Sequence, residues 1–191
     1  MTGFPALDEA HQLLRTAALG LSADDLSRRT PCAQWNVAQV LQHAAGDQRA
    51  YAVTLTGSDG PTYDPFAPTG TIDTAPDDLV GSAIGAAARA FAVVEPEGEA
   101  PTPLPQGVLP ARAAAGAAAL DAAVHAWDVS VAVGRPSPLG DELATELMWV
   151  AAQIVEPLRG WGAYAAALDP VAQDGPADEL LRYLGRDPHW A

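Results

Sequence analysis

Three side chains able to do chemistry, Asp121, His125 and Asp128, stand in the middle of a stretch from Ala111 to Gly134 that is otherwise almost wholly Ala, Val, Leu and Gly. Their spacings of four and three residues put them on one stripe of a helix, within roughly 60° of one another. Arg112 is the only other charged side chain of the stretch. A helix this apolar is a buried helix. Burying two carboxylates and an imidazole without partners costs several kcal/mol. A divalent cation meets that cost economically, because carboxylate oxygen and imidazole nitrogen both ligate zinc-like ions. An Asp–His ion pair would meet part of it with no metal at all.

Asp121-x-x-x-His125 is the carboxylate counterpart of the two-histidine spacing of helix-borne zinc sites. One helix stripe cannot surround an ion, so a third ligand must come from another element, and His43 is the candidate by residue type. Three protein ligands leave a position open for water or substrate, which marks a working site rather than a structural one. Plainer roles stand beside these. His43 alone reads as a hydrogen-bonded core histidine. Asp128 reads as structural, through a salt bridge to an arginine such as Arg15 or Arg49, or as the group that orients His125. Asp47, four residues after His43, is a candidate base. His11 is expected at a core edge and His189 in a frayed tail. Cys32 precedes a helix start, where a thiol pKa can fall, but a small buried hydrophobe is the commoner role. Trp35 and Trp127 read as core or pocket wall.

The elements that must position these groups are helices. Apolar residues recur at helical spacing over Ala6–Leu21, and Ser22 is placed to cap a one-turn helix after it. A second long helix starts at Trp35 or Asn36, with Asn36 as its cap, and ends near Thr56–Gly57. Gly57 to Pro76 is a long loop without periodicity; a loop of that length inside a domain is expected to cover something, such as a pocket mouth. Further helices are expected over Asp77–Val94, Ala111–Val133, Asp141–Val155 and Ala177–Leu184. One short extended stretch is expected around Thr102–Leu104, and Pro157 to Pro176 reads as irregular. The pattern is all-α, a four-helix bundle with long crossover loops and extra short helices.

Composition narrows the function. The formal net charge is −14 and the pI about 4.3, which argues against nucleic acid and anionic membrane surfaces as partners and leaves a small molecule. A single cysteine permits no intramolecular disulfide. No signal-like segment and no apolar run long enough to span a bilayer is seen, so a cytoplasmic chain is expected.

Several of these residues also resemble a known family. Thr30-Pro31-Cys32-x-x-Trp35-x-Val37, followed by Leu41-x-His43, resembles the start of the metal-carrying helix of the DinB-like superfamily. More narrowly, it is similar to the metal-binding domain of mycothiol-dependent maleylpyruvate isomerases and their single-domain relatives. Asp121-x-x-x-His125-x-Trp127-Asp128 resembles the family's Glu-x-x-x-His-x-Trp-Asp signature, and the ending Leu180-Leu181-x-x-Leu184-Gly185-Arg186-Asp187-Pro188 is similar to that of the single-domain relatives.

The resemblance implies one DinB-like domain over residues 1–191, with a divalent ion, commonly zinc, on His43, Asp121 and His125. Asp121 stands where the family has Glu and is one methylene shorter; direct ligation needs close helices, which the flanking alanines permit. The full isomerases carry an extra C-terminal domain for which a chain ending at Ala191 has no counterpart, so maleylpyruvate isomerisation itself is not expected. What the resemblance leaves is metal binding and chemistry on a low-molecular-weight thiol such as mycothiol, in a transferase or isomerase acting on a small electrophile. The alternative is a non-catalytic metal-binding or stress-associated bundle. Monomer and homodimer are both open.

Overall fold

The apolar stretch around Asp121 becomes the central helix of the fold. In the computed structural model, which describes residues 1–190, helix α5 (Ala111–Ala132) buries all of its 22 residues except Arg112, Asp121 and Val131. It has no polar face because it has no solvent face. Helices α1 (Pro5–Ala18), α3 (Val37–Thr56) and α4 (Pro76–Phe91) complete a four-helix ring with it: α1 packs on α5, α5 on α3, α3 on α4, and α4 back on α1. Helix α6 (Asp141–Arg159) lies on α5 outside that ring and carries the short α7 (Pro176–Tyr183). The one-turn α2 (Ala23–Leu26) is closed by a reciprocal Ser22–Asp25 capping box, as its sequence predicts. The architecture is all-α, and no helix of the described residues is long and apolar enough to cross a membrane.

Helix α3 begins and ends where its residues dictate. Asn36 accepts from the Gln39 amide while the Gln39 side chain accepts from the Asn36 amide, so two of the unpaired donors at the helix start are satisfied. Gly57, in the left-handed conformation at φ 69°, stops it.

Four elements differ from the sequence reading. The extended stretch expected at Thr102–Leu104 is the turn of a hairpin, whose antiparallel strands β1 (Glu99–Pro101) and β2 (Val108–Pro110) flank it. Thr102 caps that turn through its amide and hydroxyl, both donating to the Gly107 carbonyl. The helix expected to stop at Val155 runs to Arg159 through Pro157. A proline in the last turn removes only one ladder bond, and Arg159, which bonds Glu156 and the Ala165 and Tyr183 carbonyls, anchors that turn. Helices α1 and α4 each end three residues earlier than expected, α1 because the chain turns at Gly20 with φ 66°.

The contact of α5 with α6 depends on Gly116. A Cβ at that position would strike Val150 of α6. In an open helix Gly→Ala is worth roughly 1 kcal/mol in favour of Ala. Here overpacking opposes it, and G116A is expected to lower stability by ~1–3 kcal/mol, read as a lower Tm. Adding Val150→Ala should recover most of the loss.

Candidate metal centre

His43 is fixed from two sides. Thr30 donates its hydroxyl to the Cys32 and Trp35 carbonyls at 3.1 and 2.8 Å, tying the turn before α3. That turn lays the Trp35 ring over His43, centroids 4.6 Å apart. From the other side, the Pro65 carbonyl lies 2.9 Å from His43 Nδ1. A carbonyl only accepts, so Nδ1 carries a proton, and in the neutral ring Nε2 presents its lone pair inward. Nε2 stands 3.8 Å from Asp121 Oδ1 and 3.8 Å from Asp47 Oδ2.

His125 is fixed in the same sense by a different group. Its Nδ1 is 2.9 Å from Asp128 Oδ2, leaving Nε2 3.5 Å from Asp121 Oδ1. Asp128 is wholly buried and is gripped by Arg186, whose Nε and Nη2 donate to Oδ1 and Oδ2 at 2.9 and 2.8 Å. Gly185 aims that arginine. At φ 78° it reverses the chain after α7, and the Arg186 amide donates back to the Leu181 carbonyl. A Cβ there would also meet Ala166 O at 2.7 Å, so only glycine makes this turn.

Asp121 has one oxygen held and one free. Gln48, fully buried on α3, donates to Asp121 Oδ2 at 3.1 Å and to the Ala118 carbonyl at 3.0 Å. Both partners only accept, which fixes the amide orientation. Gln48 Oε1 therefore accepts from His11 Nε2 at 2.9 Å. Oδ1 remains turned to the two imidazoles.

His43, Asp121 and His125 thus offer ligand atoms that lie within 4.8 Å of one another. Donors around an ion with bonds of about 2 Å stand roughly 3.3 Å apart, and the two Asp121 distances are close to that span. The donor set therefore fits a divalent ion: two imidazoles with Nε2 turned inward, one carboxylate oxygen, and a hydrogen-bonded outer partner on each ligand, as metal-binding histidines ordinarily have. The electrostatics favour a cation as well. Burial, and then the neighbouring Asp47, push Asp121 well above the usual carboxylate range. Burial raises Asp47 too. Burial brings His125 down to about 4 against the opposing pull of Asp128, so it is neutral at pH 7 and not half of an ion pair. No arginine is bonded to Asp47 or Asp121 among the described residues.

The remaining sequence candidates divide. Asp47 is at the rim of the cluster. Trp35 is pocket wall: besides touching His43 it lines a cavity of about 300 Å³ with Arg29, Thr30, Gln34 and Trp190. Trp127 is core. His11 is buried behind Gln48 and not at a core edge. His189 is exposed near the end of the described chain. Asp128 does orient His125, but its salt bridge is to Arg186; Arg49 is bonded to Ser82 and Arg15 lies beside Gly81, both on α4. Cys32 is not an activated thiol. Burial, and next the Asp128 charge, push it up to about 11. Iodoacetamide at pH 8 is expected to alkylate Cys32 at least ~10-fold more slowly than a free thiol, checked by intact-mass kinetics. Sequence reasoning missed Gln48, Pro65 and Arg186.

The fold and the site define a class: an all-α helical bundle with a candidate metal centre of two histidines and one carboxylate. The chain belongs to the family of mycothiol maleylpyruvate isomerase N-terminal domains, DinB-like bundles, whose family model matches residues 7–130 and so covers all three candidate ligands. It is similar to two uncharacterized proteins of Mycobacterium tuberculosis, one from strain CDC 1551 / Oshkosh and one from strain ATCC 25618 / H37Rv. Each is 31% identical to it over 185 residues, 93% of this chain and 96% of the relative. No solved structure matches the chain significantly.

Proposed function

We propose that this protein binds a divalent cation, zinc first among them, through His43 Nε2, Asp121 Oδ1 and His125 Nε2, and that it uses the centre to bring a low-molecular-weight thiol of the mycothiol type to a small electrophile, as a transferase or isomerase. The observation that carries the reading is the convergence of three donor atoms from two helices within 4.8 Å, each ligand already bonded on its far side.

A bound divalent ion with an open position lowers the pKa of a thiol placed there. The chain's own residues have the other duties. Pro65 and Asp128 hold the two imidazoles in the tautomer that ligates. Gln48 keeps Asp121 from turning away. Trp35 and Phe66, the latter with its ring centroid 5.6 Å from His43, wall the centre with apolar surface. Asp47, at the rim and raised by burial, is the group placed to take a proton. Cys32, held as a thiol, takes no part.

The test starts with elemental analysis of protein purified without a histidine tag. About one zinc per chain is expected after reconstitution, and none in His43→Ala. Thiol consumption against a panel of electrophiles follows. Stoichiometric metal without turnover would leave the non-catalytic metal-binding bundle as the function; absence of metal after reconstitution would end both readings.

A further inference from the structure

Gly46 lies one turn after His43 on α3, and a Cβ built on it would come within 2.6 Å of both Cβ and Cγ of Pro65. Pro65 is also the residue whose carbonyl accepts a hydrogen bond from His43 Nδ1 at 2.9 Å. We propose that Gly46 is a positioning residue of the centre: its missing side chain lets the Pro65 ring seat on α3, and that seating sets the tautomer of His43.

The same face of α3 is built to receive this segment. Gln39, Gln42, His43 and Gly46 stand at helical positions i, i+3, i+4 and i+7, so they form one stripe. Each touches the loop between α3 and α4. Gln39 donates to the Pro68 carbonyl at 3.1 Å. Gln42 donates to the Thr71 carbonyl at 2.6 Å and accepts from the Gly70 amide at 2.7 Å. Tyr63 donates its hydroxyl back to the Gln42 carbonyl at 2.7 Å. Residues 63–71 are therefore a strap laid along the helix.

Pro65 supplies the contact that matters to the imidazole. With its carbonyl in place, Nδ1 is the protonated nitrogen and Nε2 faces Asp121. With the strap lifted, Nδ1 would meet water, and the ring would be free to exchange tautomers or rotate. Gly46 thus acts on His43 through Pro65, without touching any ligand atom. A glycine inside a helix with no such role would raise Tm when replaced by Ala.

The inference rests on the proposed ligand set for its consequence but not for its first readout. Long-range proton–nitrogen NMR of metal-free protein, with His43 identified by its loss in His43→Ala, should show the Nδ1-protonated form in the wild type. Gly46→Ala should give a tautomer mixture and weaken zinc binding by ~10-fold or more, the usual penalty for losing a ligand's outer partner. The companion G46A/P65G removes the ring atoms in the way while keeping the carbonyl, and should restore the wild-type tautomer. If G46A alone fails to fold, recovery of the fold in G46A/P65G supports the proposal and no recovery overturns it. An unchanged tautomer with unchanged zinc affinity in G46A overturns it outright. Wild-type protein that binds no zinc, together with a tautomer change in Gly46→Ala, would overturn the metal reading and leave this one standing.

Discussion

Replacing Arg186 by Met is expected to lower folding stability by ~3–5 kcal/mol, the typical cost of removing one partner from a buried pair. The reason lies in Asp128, which has no solvent exposure and is held by two guanidinium hydrogen bonds and one imidazole. Burial alone would raise its pKa; the Arg186 charge and the His125 hydrogen bond outweigh it and bring the group to about 2. A carboxyl depressed in the folded state adds stability above its ordinary value of 3.8, and that contribution is lost as pH falls through about 2. His125, folded pKa about 4 against an ordinary 6.5, acts at higher pH. Between those values the unfolded chain takes up the His125 proton first, so the His125 contribution to the stability of metal-free protein is lost as pH falls from 6.5 toward 4, while the raised carboxyls of Asp47 and Asp121 act in the opposite direction. In R186M the acid limb should move upward, because Asp128 loses the charge that keeps it ionised. Urea titrations at pH 7 and pH 5 read both effects. D128N/R186M should cost less than R186M alone, since no unpaired charge is left inside. Equal losses in the two would mean that Arg186 contributes by filling space and not by pairing.

How much of this was legible in sequence follows from what each feature depends on. Local rules placed the caps. Asn36, Ser22 and Gly57 act through residues at most four positions away, and they lie where expected. The buried central helix and its reactive stripe were legible for the same reason: Asp121 and His125 are adjacent turns of one element, and so few charges in an apolar run have to be explained. His43 came from residue type, and the bundle does bring it to the other two. The groups that hold the ligands were not legible. Gln48 is an unremarkable amide among polar neighbours until α3 meets α5 and puts it against Asp121, 73 residues away in sequence. Arg186 is 58 residues from Asp128, beyond any periodicity, and the ending motif that contains it does not say which carboxylate it pairs with. Pro65 acts through a backbone carbonyl, which every residue has. The hairpin was hidden by prolines at its strand ends, which look like loop until the partner strand is known.

Asp121→Asn should separate function from stability in opposite directions. Asp121 Oδ1 faces two bare imidazole nitrogens at 3.5 and 3.8 Å, none of which can donate to it, with the Asp47 carboxylate nearby. Its only side-chain donor among the described residues, Gln48, serves Oδ2. A carboxylate so placed is stabilised by a cation and strained without one. Asparagine relieves the strain without changing shape: its oxygen keeps the Gln48 bond, and its amide nitrogen donates toward the lone pairs that Oδ1 confronted. Metal-free D121N is therefore expected to be more stable than metal-free wild type by on the order of 1 kcal/mol, a Tm a few degrees higher. Its zinc affinity should fall by more than ~100-fold, beyond the penalty for losing an outer partner. Differential scanning calorimetry on protein stripped with chelator, followed by zinc titration of the same samples, gives both numbers. If Asp121 and His125 instead formed a structural ion pair, the asparagine would lower Tm and zinc would leave both proteins unchanged. The two accounts thus differ in the sign of one measurement. The sign has to go the first way if this carboxylate is kept in an apolar interior, against its own stability, for the sake of a cation.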